Sequence, residues 1–261
     1  MNRMFHILIM AFAVMGLISS CRDPEPLTAI THTIQGVTFE MVFVEDSSVV
    51  MGATAEQSGD ADDDEYPTHN VVLTDYYIGK TEVTQELWKA VMGENPSYFK
   101  GDNKPVHNIS WYDCQRFIDK LNMHTGKNFC FPTEAQWEYA ARGGNMCQGY
   151  KYAGSNIIDE VAWYGEDYDE CRPHKVSTKY ANELGIYDMS GNVGEWCLDW
   201  YDNYTDSSQT NPEGPSAGSL RVFRGGCYYS ATAKDCRVTY RDNVNSGYRG
   251  SDIGLRLCIV L

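Results

Sequence analysis

Cysteine is the residue type with the widest chemical reach in this 261-residue sequence, which carries nine of them. A thiolate is a nucleophile, a redox centre and a ligand for soft metals. Besides Cys21, the cysteines stand at positions 114, 130, 147, 171, 197, 227, 236 and 258. No two of them have the C-x-x-C spacing of a zinc ribbon, so a zinc site is not expected. Outside the cytosol an even set of eight favours disulfides over free thiols, and spacing alone leaves the connectivity open. The histidines beyond the N-terminal segment, His32, His69, His107, His124 and His174, include no close pair. There is no phosphate loop, no G-x-S-x-G elbow and no H-E-x-x-H helix. A different chemistry is concentrated in residues 227–252, which are rich in Tyr, Ser, Asn and Asp. Tyr228, Tyr229, Tyr240 and Tyr248 offer rigid contact area with polar tips, suited to a protein or glycan ligand. Ordinary loop composition is the alternative reading. The acidic run Asp60–Glu65 lacks the Gly and the ligand pattern of an EF-hand and reads as a solvated turn.

The charge balance is 21 − 36 = −15. A chain this acidic repels phosphate backbones, so nucleic acid is not an expected partner. Arg3 is the only charge before Cys21, and Phe5–Ile18 is an apolar run broken only by His6. That run is shorter than the roughly 20 residues of a spanning helix and has the length of a secretory h-region. It ends in Leu17-Ile18-Ser19-Ser20-Cys21, which resembles a bacterial lipobox. The expectation is a signal peptide over 1–20, a lipidated Cys21, and a lipid anchor that holds the protein at the cell envelope. Residues 21–36, with Pro24 and Pro26, read as a tether, and 37–261 as one domain.

The positioning elements are legible mainly in the first half of that domain. Val37, Phe39, Met41 and Phe43 fall on one face of a strand, with Val42 and Val44 on the other. Glu45–Ser48 supplies turn residues, so Val49-Val50-Met51 reads as the second arm of a hairpin. Residues 71–73 and 76–78 read as strands. Three helices follow, opened by Thr84, Ser110 and Thr133, the last two with capping-box starts. From 145 onward regular patterns are scarce, and Gly, Asn, Asp, Tyr and Trp dominate. Such a stretch needs cations, disulfides or aromatic packing to hold it. No internal repeat is evident.

Several segments, in order, resemble the formylglycine-generating enzyme, or sulfatase-modifying factor, family. They are Tyr77–Thr84, Pro105–Trp111, Phe131-Pro-Thr-Glu-Ala-Gln-Trp-Glu-Tyr-Ala-Ala-Arg-Gly-Gly144, Leu184-Gly-Ile-Tyr-Asp-Met-Ser-Gly-Asn-Val-Gly-Glu-Trp196, Arg224-Gly-Gly226 and Ile253–Leu257. The resemblance covers about 37–261 and implies an α+β, C-type-lectin-like fold with much irregular structure. Fold does not settle function, because the family includes oxidases that convert a sulfatase cysteine to formylglycine, iron-dependent sulfoxide synthases, and members without known activity.

The resemblance also implies site chemistry. The oxidases carry a Gly-Gly-Ser-Tyr-x-Cys segment with a second Cys five residues on, and those thiols bind copper(I) and engage substrate. The matching segment here is Gly225-Gly226-Cys227-Tyr228-Tyr229-Ser230, with Ser230 at the first thiol position and Asp235 at the second. Cys227 and Cys236 are nearby thiols at a different spacing, so copper and formylglycine synthesis are not expected. The sulfoxide synthases' three-histidine iron site is not evident. Structural calcium is expected in the loop 188–195, with Asp188, Gly191, Val193 and Glu195 at the family's ligand positions; a plain turn held by Asn192 is the alternative. Two disulfides are expected. Cys147 and Cys171 flank an insertion-like loop, and Cys114 and Cys258 lie close to the positions of a family pair. The C-terminal segment resembles the variable regions of lectin-fold proteins diversified by retroelements. The functional expectation is an exported lipoprotein that binds a protein or glycan. The alternatives are a formylglycine-generating-type oxidase and a structural component of an envelope complex.

Overall fold

The computed structural model describes residues 29–57, 59–165 and 171–261. The expected signal segment, Cys21 and the first half of the expected tether, 21–28, lie outside them. Twelve strands are described: β1 Ile30–Ile34, β2 Val37–Val44, β3 Ser47–Met51, β4 His69–Leu73, β5 Tyr76–Gly79, β6 Phe129–Cys130, β7 Gly194–Trp200, β8 Gln209–Thr210, β9 Arg221–Arg224, β10 Arg241–Val244, β11 Ile253–Gly254 and β12 Cys258–Val260. The α-helices are α1 Gln85–Met92, α2 Trp111–Thr125, α3 Glu134–Ala141 and the short α4 Ile158–Val161. The strands form three sheets, ordered β1-β2-β5-β12-β6, β10-β9-β7-β11 and β3-β4-β8.

The alternation read in residues 37–44 divides the core. Met41 packs in one apolar cluster, with Val37, Phe39 and Phe43 against it. Val42 and Val44 pack in the other. Tyr77 and Ile259 join the first cluster, while Ile78 and Cys258 join the second. The five-stranded sheet therefore carries α1 and α2 on one face, where Trp88 stacks on Phe117 and Trp111 on Phe131, each pair with centroids 4.7 Å apart. Helix α3 packs on the other face.

The helix starts are those expected. Thr84 Oγ1 accepts the Leu87 N–H at 3.2 Å. The Ser110 and Asp113 side chains exchange hydrogen bonds with each other's backbone at 3.2 and 2.8 Å. Thr133 and Gln136 do the same at 3.2 and 2.9 Å. Each such cap contributes about 1 kcal/mol.

Four expectations are corrected. Residues 30–34, assigned to the tether, form β1 and pair with β2 across Gln35-Gly36, whose φ angles of 48° and 86° suit the twist of a two-residue hairpin. β3 does not fold back on β2; it pairs with β4, and β2 pairs with β1 and β5. The turn at 45–46 thus passes the chain from one sheet to another. The acidic run is not wholly solvated: Glu65 is buried and accepts from Arg237 Nη1 at 2.8 Å. Neither expected disulfide is formed among the described residues. Cys147 Sγ accepts the Gly149 N–H at 3.4 Å, whereas Cys171 neighbours Tyr228. Cys114 and Cys258 sit in the two clusters on opposite faces of the sheet. It is Leu257, one residue earlier, that shares Cys114's cluster. A one-residue shift along a strand reverses the side-chain face, so these two sulfurs are kept apart.

Candidate functional site

Two loops meet beyond the ends of the second sheet. The Gly191 N–H donates to Gly225 O and the Tyr228 N–H to Asn192 O, both at 2.8 Å.

The first loop, 184–195, is set by backbone requirements. Gly191 has φ 78°, and a Cβ there would lie 2.3 Å from Trp163 O, so no other residue fits. Asn192, at φ 63°, donates from Nδ2 to Glu82 Oε2 at 2.9 Å and accepts the His174 N–H at 2.9 Å. The Val193 N–H donates to Glu82 Oε1 at 3.2 Å. Glu195 receives Arg256 Nε at 2.8 Å, Arg256 Nη2 at 2.6 Å and Trp137 Nε1 at 2.6 Å. Arg256 in turn donates to Gly79 O at 2.7 Å and Tyr187 O at 2.8 Å. Glu82, Asp188, Glu195 and Arg256 are all buried. Burial pushes the Asp188 carboxyl up to about 6, and burial with Asp188 and Glu195 nearby pushes Glu82 well above the carboxylate range.

Three buried carboxyls and one guanidinium sum to −3 + 1 = −2 when all are ionised. Such a deficit is costly in a low-dielectric interior and is offset by protonation or by a divalent cation. The donor set fits calcium. A carboxylate offers about four acceptor positions, and the bonds above fill three of Glu195's. Asp188 Oδ2 takes the Ser177 N–H at 2.7 Å. Among the described residues no three His, Cys, Asp or Glu side chains converge as a metal site. The expected set instead combines two carboxyls with the carbonyls of Gly191 and Val193, all oxygen, as a hard cation requires. Calcium held there would neutralise Asp188 and Glu195 and brace the loop.

The second loop begins where β9 ends. Gly226, at φ 68°, leaves no room for a side chain, because a Cβ would meet Asp235 O at 2.5 Å and Cys236 Sγ at 2.9 Å. Ser230 Oγ accepts the Cys227 N–H at 2.9 Å and lies 3.8 Å from Cys227 Sγ. Asp235 turns its carboxylate to the Thr232 hydroxyl at 3.1 Å. Both thiols are buried. Burial pushes the Cys227 thiol up to about 12, and burial with Cys227 beside it pushes Cys236 higher still. Each is therefore a protonated thiol at neutral pH, not a thiolate.

Beside them opens a cleft of about 250 Å³, lined by Cys227, Tyr229, Asp235, Tyr240, Asp242 and Asp252 among others. The four tyrosines do not share one role. Tyr229 and Tyr248 are exposed and donate to the two oxygens of Asp252, at 2.7 and 3.3 Å. Tyr240 is half-buried on the cleft wall with its hydroxyl 3.4 Å from Asp242. Tyr228 is buried against Ser251, so it supports the cleft and is no contact residue. Sequence reading missed Asp242 and Asp252, which anchor the tyrosine tips, and Glu82 and Arg256, which complete the first loop. The last two stand inside segments quoted above, but their burial was not visible there.

The family profile of the sulfatase-modifying factor enzyme 1-like domain matches residues 29–260. The chain belongs to this family. Its C-type-lectin-like, formylglycine-generating-enzyme fold follows from the same likeness. Chaperone protein LppX of Paenibacillus barcinonensis is 36% identical over 241 residues, 74% of this chain and 82% of that protein. The formylglycine-generating enzyme of Streptomyces coelicolor is 31% identical over 186 residues, 65% of this chain, and the match spans 57% of that enzyme's length. Among solved structures, Treponema denticola variable protein 1 superposes with a TM-score of 0.80 at 33% identity, covering 89% of this chain and 99% of that one. By the resemblance given above, Ser230 and Asp235, a hydroxyl and a carboxylate, match the positions of the oxidases' copper-binding thiols. Hard oxygen groups do not suit copper(I), and the neighbouring sulfurs, Cys227 and Cys236, are buried. The residues do not fit that metal.

Proposed function

We propose that this chain is a ligand-binding module on the sulfatase-modifying-factor scaffold, carried to the cell envelope on a lipidated Cys21, with calcium bracing the 188–195 loop and without formylglycine-generating activity. The observation that carries the reading is a cleft lined by aromatic rings and carboxylates in the loop that resembles the oxidases' thiol segment. Ser230 and Asp235 stand at the thiol positions, and beside them lie Tyr229, Tyr240 and Tyr248 with their tips tied to Asp242 and Asp252. Rigid aromatic faces beside carboxylates suit a cationic or hydroxyl-rich group on a protein or glycan. The name of the relative LppX, a chaperone protein, supports a protein ligand. The likeness to a variable protein supports a scaffold whose loops are free to change.

One observation favours the oxidase reading: Cys227 and Cys236 both approach Ser230, so two thiols do gather near the expected place. Their raised pKa values weigh against it, because the chemistry needs thiolates. The proposal is tested by probing peptide and glycan arrays with the protein and its Tyr229→Ala and Asp252→Ala variants. Specific binding that falls at least about tenfold in both is expected; binding unchanged in both removes the cleft from the account.

A further inference from the structure

We propose that Cys130 and Cys258 form a cross-strand redox pair, a dithiol that closes to a disulfide on meeting a small or protein-borne disulfide oxidant. β6 and β12 run antiparallel with Cys130 directly opposite Cys258. Directly opposed residues project to the same face with Cβ atoms about 4.5–5.5 Å apart, and a disulfide needs about 3.5–4.5 Å. Small side-chain and strand adjustments close that difference. Both side chains belong to the second apolar cluster. Cys130 Sγ reaches Cys258 O at 3.6 Å, while Cys258 Sγ lies 3.7 Å from Gln136 Oε1. The expected partner of Cys258 was Cys114, but the sheet lies between those two; Cys130 and Cys197 both lie on Cys258's side, and Cys130 is the one directly opposite it.

The two thiols are unequal, which sets the order of events. Cys130 is partly exposed and Cys258 is fully buried. Contact with the Cys258 thiol and the Val260 N–H lowers the Cys130 pKa, while burial raises that of Cys258. Cys130 is thus the attacking sulfur. Its thiolate displaces one thiolate from the oxidant's disulfide and forms a mixed disulfide. The Cys258 thiol then loses its proton and attacks Cys130 Sγ, releasing the oxidant's second thiolate. Two protein thiols and one disulfide become one protein disulfide and two released thiols. The bridge would tie the two-residue edge strand β6, which leads into α3, to the C-terminal strand β12.

The test uses the folded protein in a redox buffer of oxidised and reduced glutathione, followed by alkylation and non-reducing peptide mapping. The expected result is a linked peptide pair containing residues 130 and 258, two hydrogens lighter than the separate thiols and separated by dithiothreitol. The link should survive Cys114→Ser and vanish in Cys130→Ser. Thermal melting should rise by roughly 5–10 °C on oxidation, less any strain. Alkylation of both residues after oxidation that has converted the exposed Cys147 to its glutathione adduct would overturn the proposal. So would a link from Cys258 to any other cysteine.

Discussion

The two loops that meet at Gly191 and Gly225 are built on different physical principles. In loop 184–195 the side chains of Asp188, Ser190, Asn192 and Glu195 are buried, and the last three each make more than one hydrogen bond. Arg256 alone makes four hydrogen bonds, to Glu195, Gly79 and Tyr187. In loop 226–252 the exposed tyrosines each make a single hydrogen bond at the surface, Tyr229 and Tyr248 both to Asp252. A group that satisfies several buried partners cannot change without leaving them unpaired. A half-exposed tyrosine that touches one carboxylate can. The first loop therefore keeps the fold, and the second tolerates change, which suits the binding role proposed for it.

The sharpest way to break this contrast is to remove the charge that holds the first loop. Arg256→Met should destabilise the protein by about 3–5 kcal/mol or prevent folding, because it leaves Glu195 buried without its counter-charge. Urea unfolding measures this, and a loss under about 1 kcal/mol would deny the loop its structural role. Calcium is the next largest lever. At about 100 times its dissociation constant it should add about 2.7 kcal/mol, read as a higher melting temperature that a chelator reverses and Asp188→Ala abolishes. Protons compete for the same carboxylates, so the calcium effect should fade as pH falls through about 6, where Asp188 protonates. No calcium effect at any pH would leave the loop braced by hydrogen bonds alone.

A third test concerns Asp199, buried at the start of α3, where it accepts the Glu134 N–H at 2.8 Å. Burial, with Glu134 beside it, raises its pKa from 3.8 to about 8. Between those values the folded state holds a proton that the unfolded chain has released. This group's contribution to stability is therefore full below about 4 and falls as pH rises through about 8, by at most about 1.4 kcal/mol per unit. Asp199→Asn keeps an oxygen acceptor and should flatten that fall in urea titrations between pH 5 and 8; an unchanged slope would assign the pH dependence elsewhere. The smallest expected effect is on the other side of the contrast. Tyr229→Ala should cost no more than about 1 kcal/mol of stability, and a larger loss would make the second loop structural too.

The sequence was informative where one local rule acted alone. The period-two pattern of 37–44 and the capping residues Thr84, Ser110 and Thr133 carried their elements into the fold. β1 was missed because Ile30-Thr-His-Thr-Ile34 is short and its Gln35-Gly36 turn is a weak hairpin signal. β3 was paired wrongly because a turn sequence does not say which sheet receives the next strand. Past residue 145 the expected stabilisers were cations, disulfides and rings. The structure shows buried arginines there: Arg224 on Glu134 and Glu138 at 3.0 and 2.6 Å, and Arg241 on Glu134 at 2.6 Å. Each pair joins residues about 90 or more positions apart, and no local pattern records such a contact. The cleft was half legible for the same reason. Its tyrosines stood out by composition, but their burial and their carboxylate partners depend on how the loops meet.

We infer that the loop following β9 binds a ligand and does not oxidise a substrate cysteine. The direct measurement incubates the copper-treated protein with a peptide containing Cys-x-Pro-x-Arg, under oxygen and reductant, beside an active formylglycine-generating enzyme as control. Aldehyde product is expected from the control and an unchanged cysteine peptide from this protein. Aldehyde formed by this protein and abolished by Cys227→Ala would show instead that the displaced thiols are an active site.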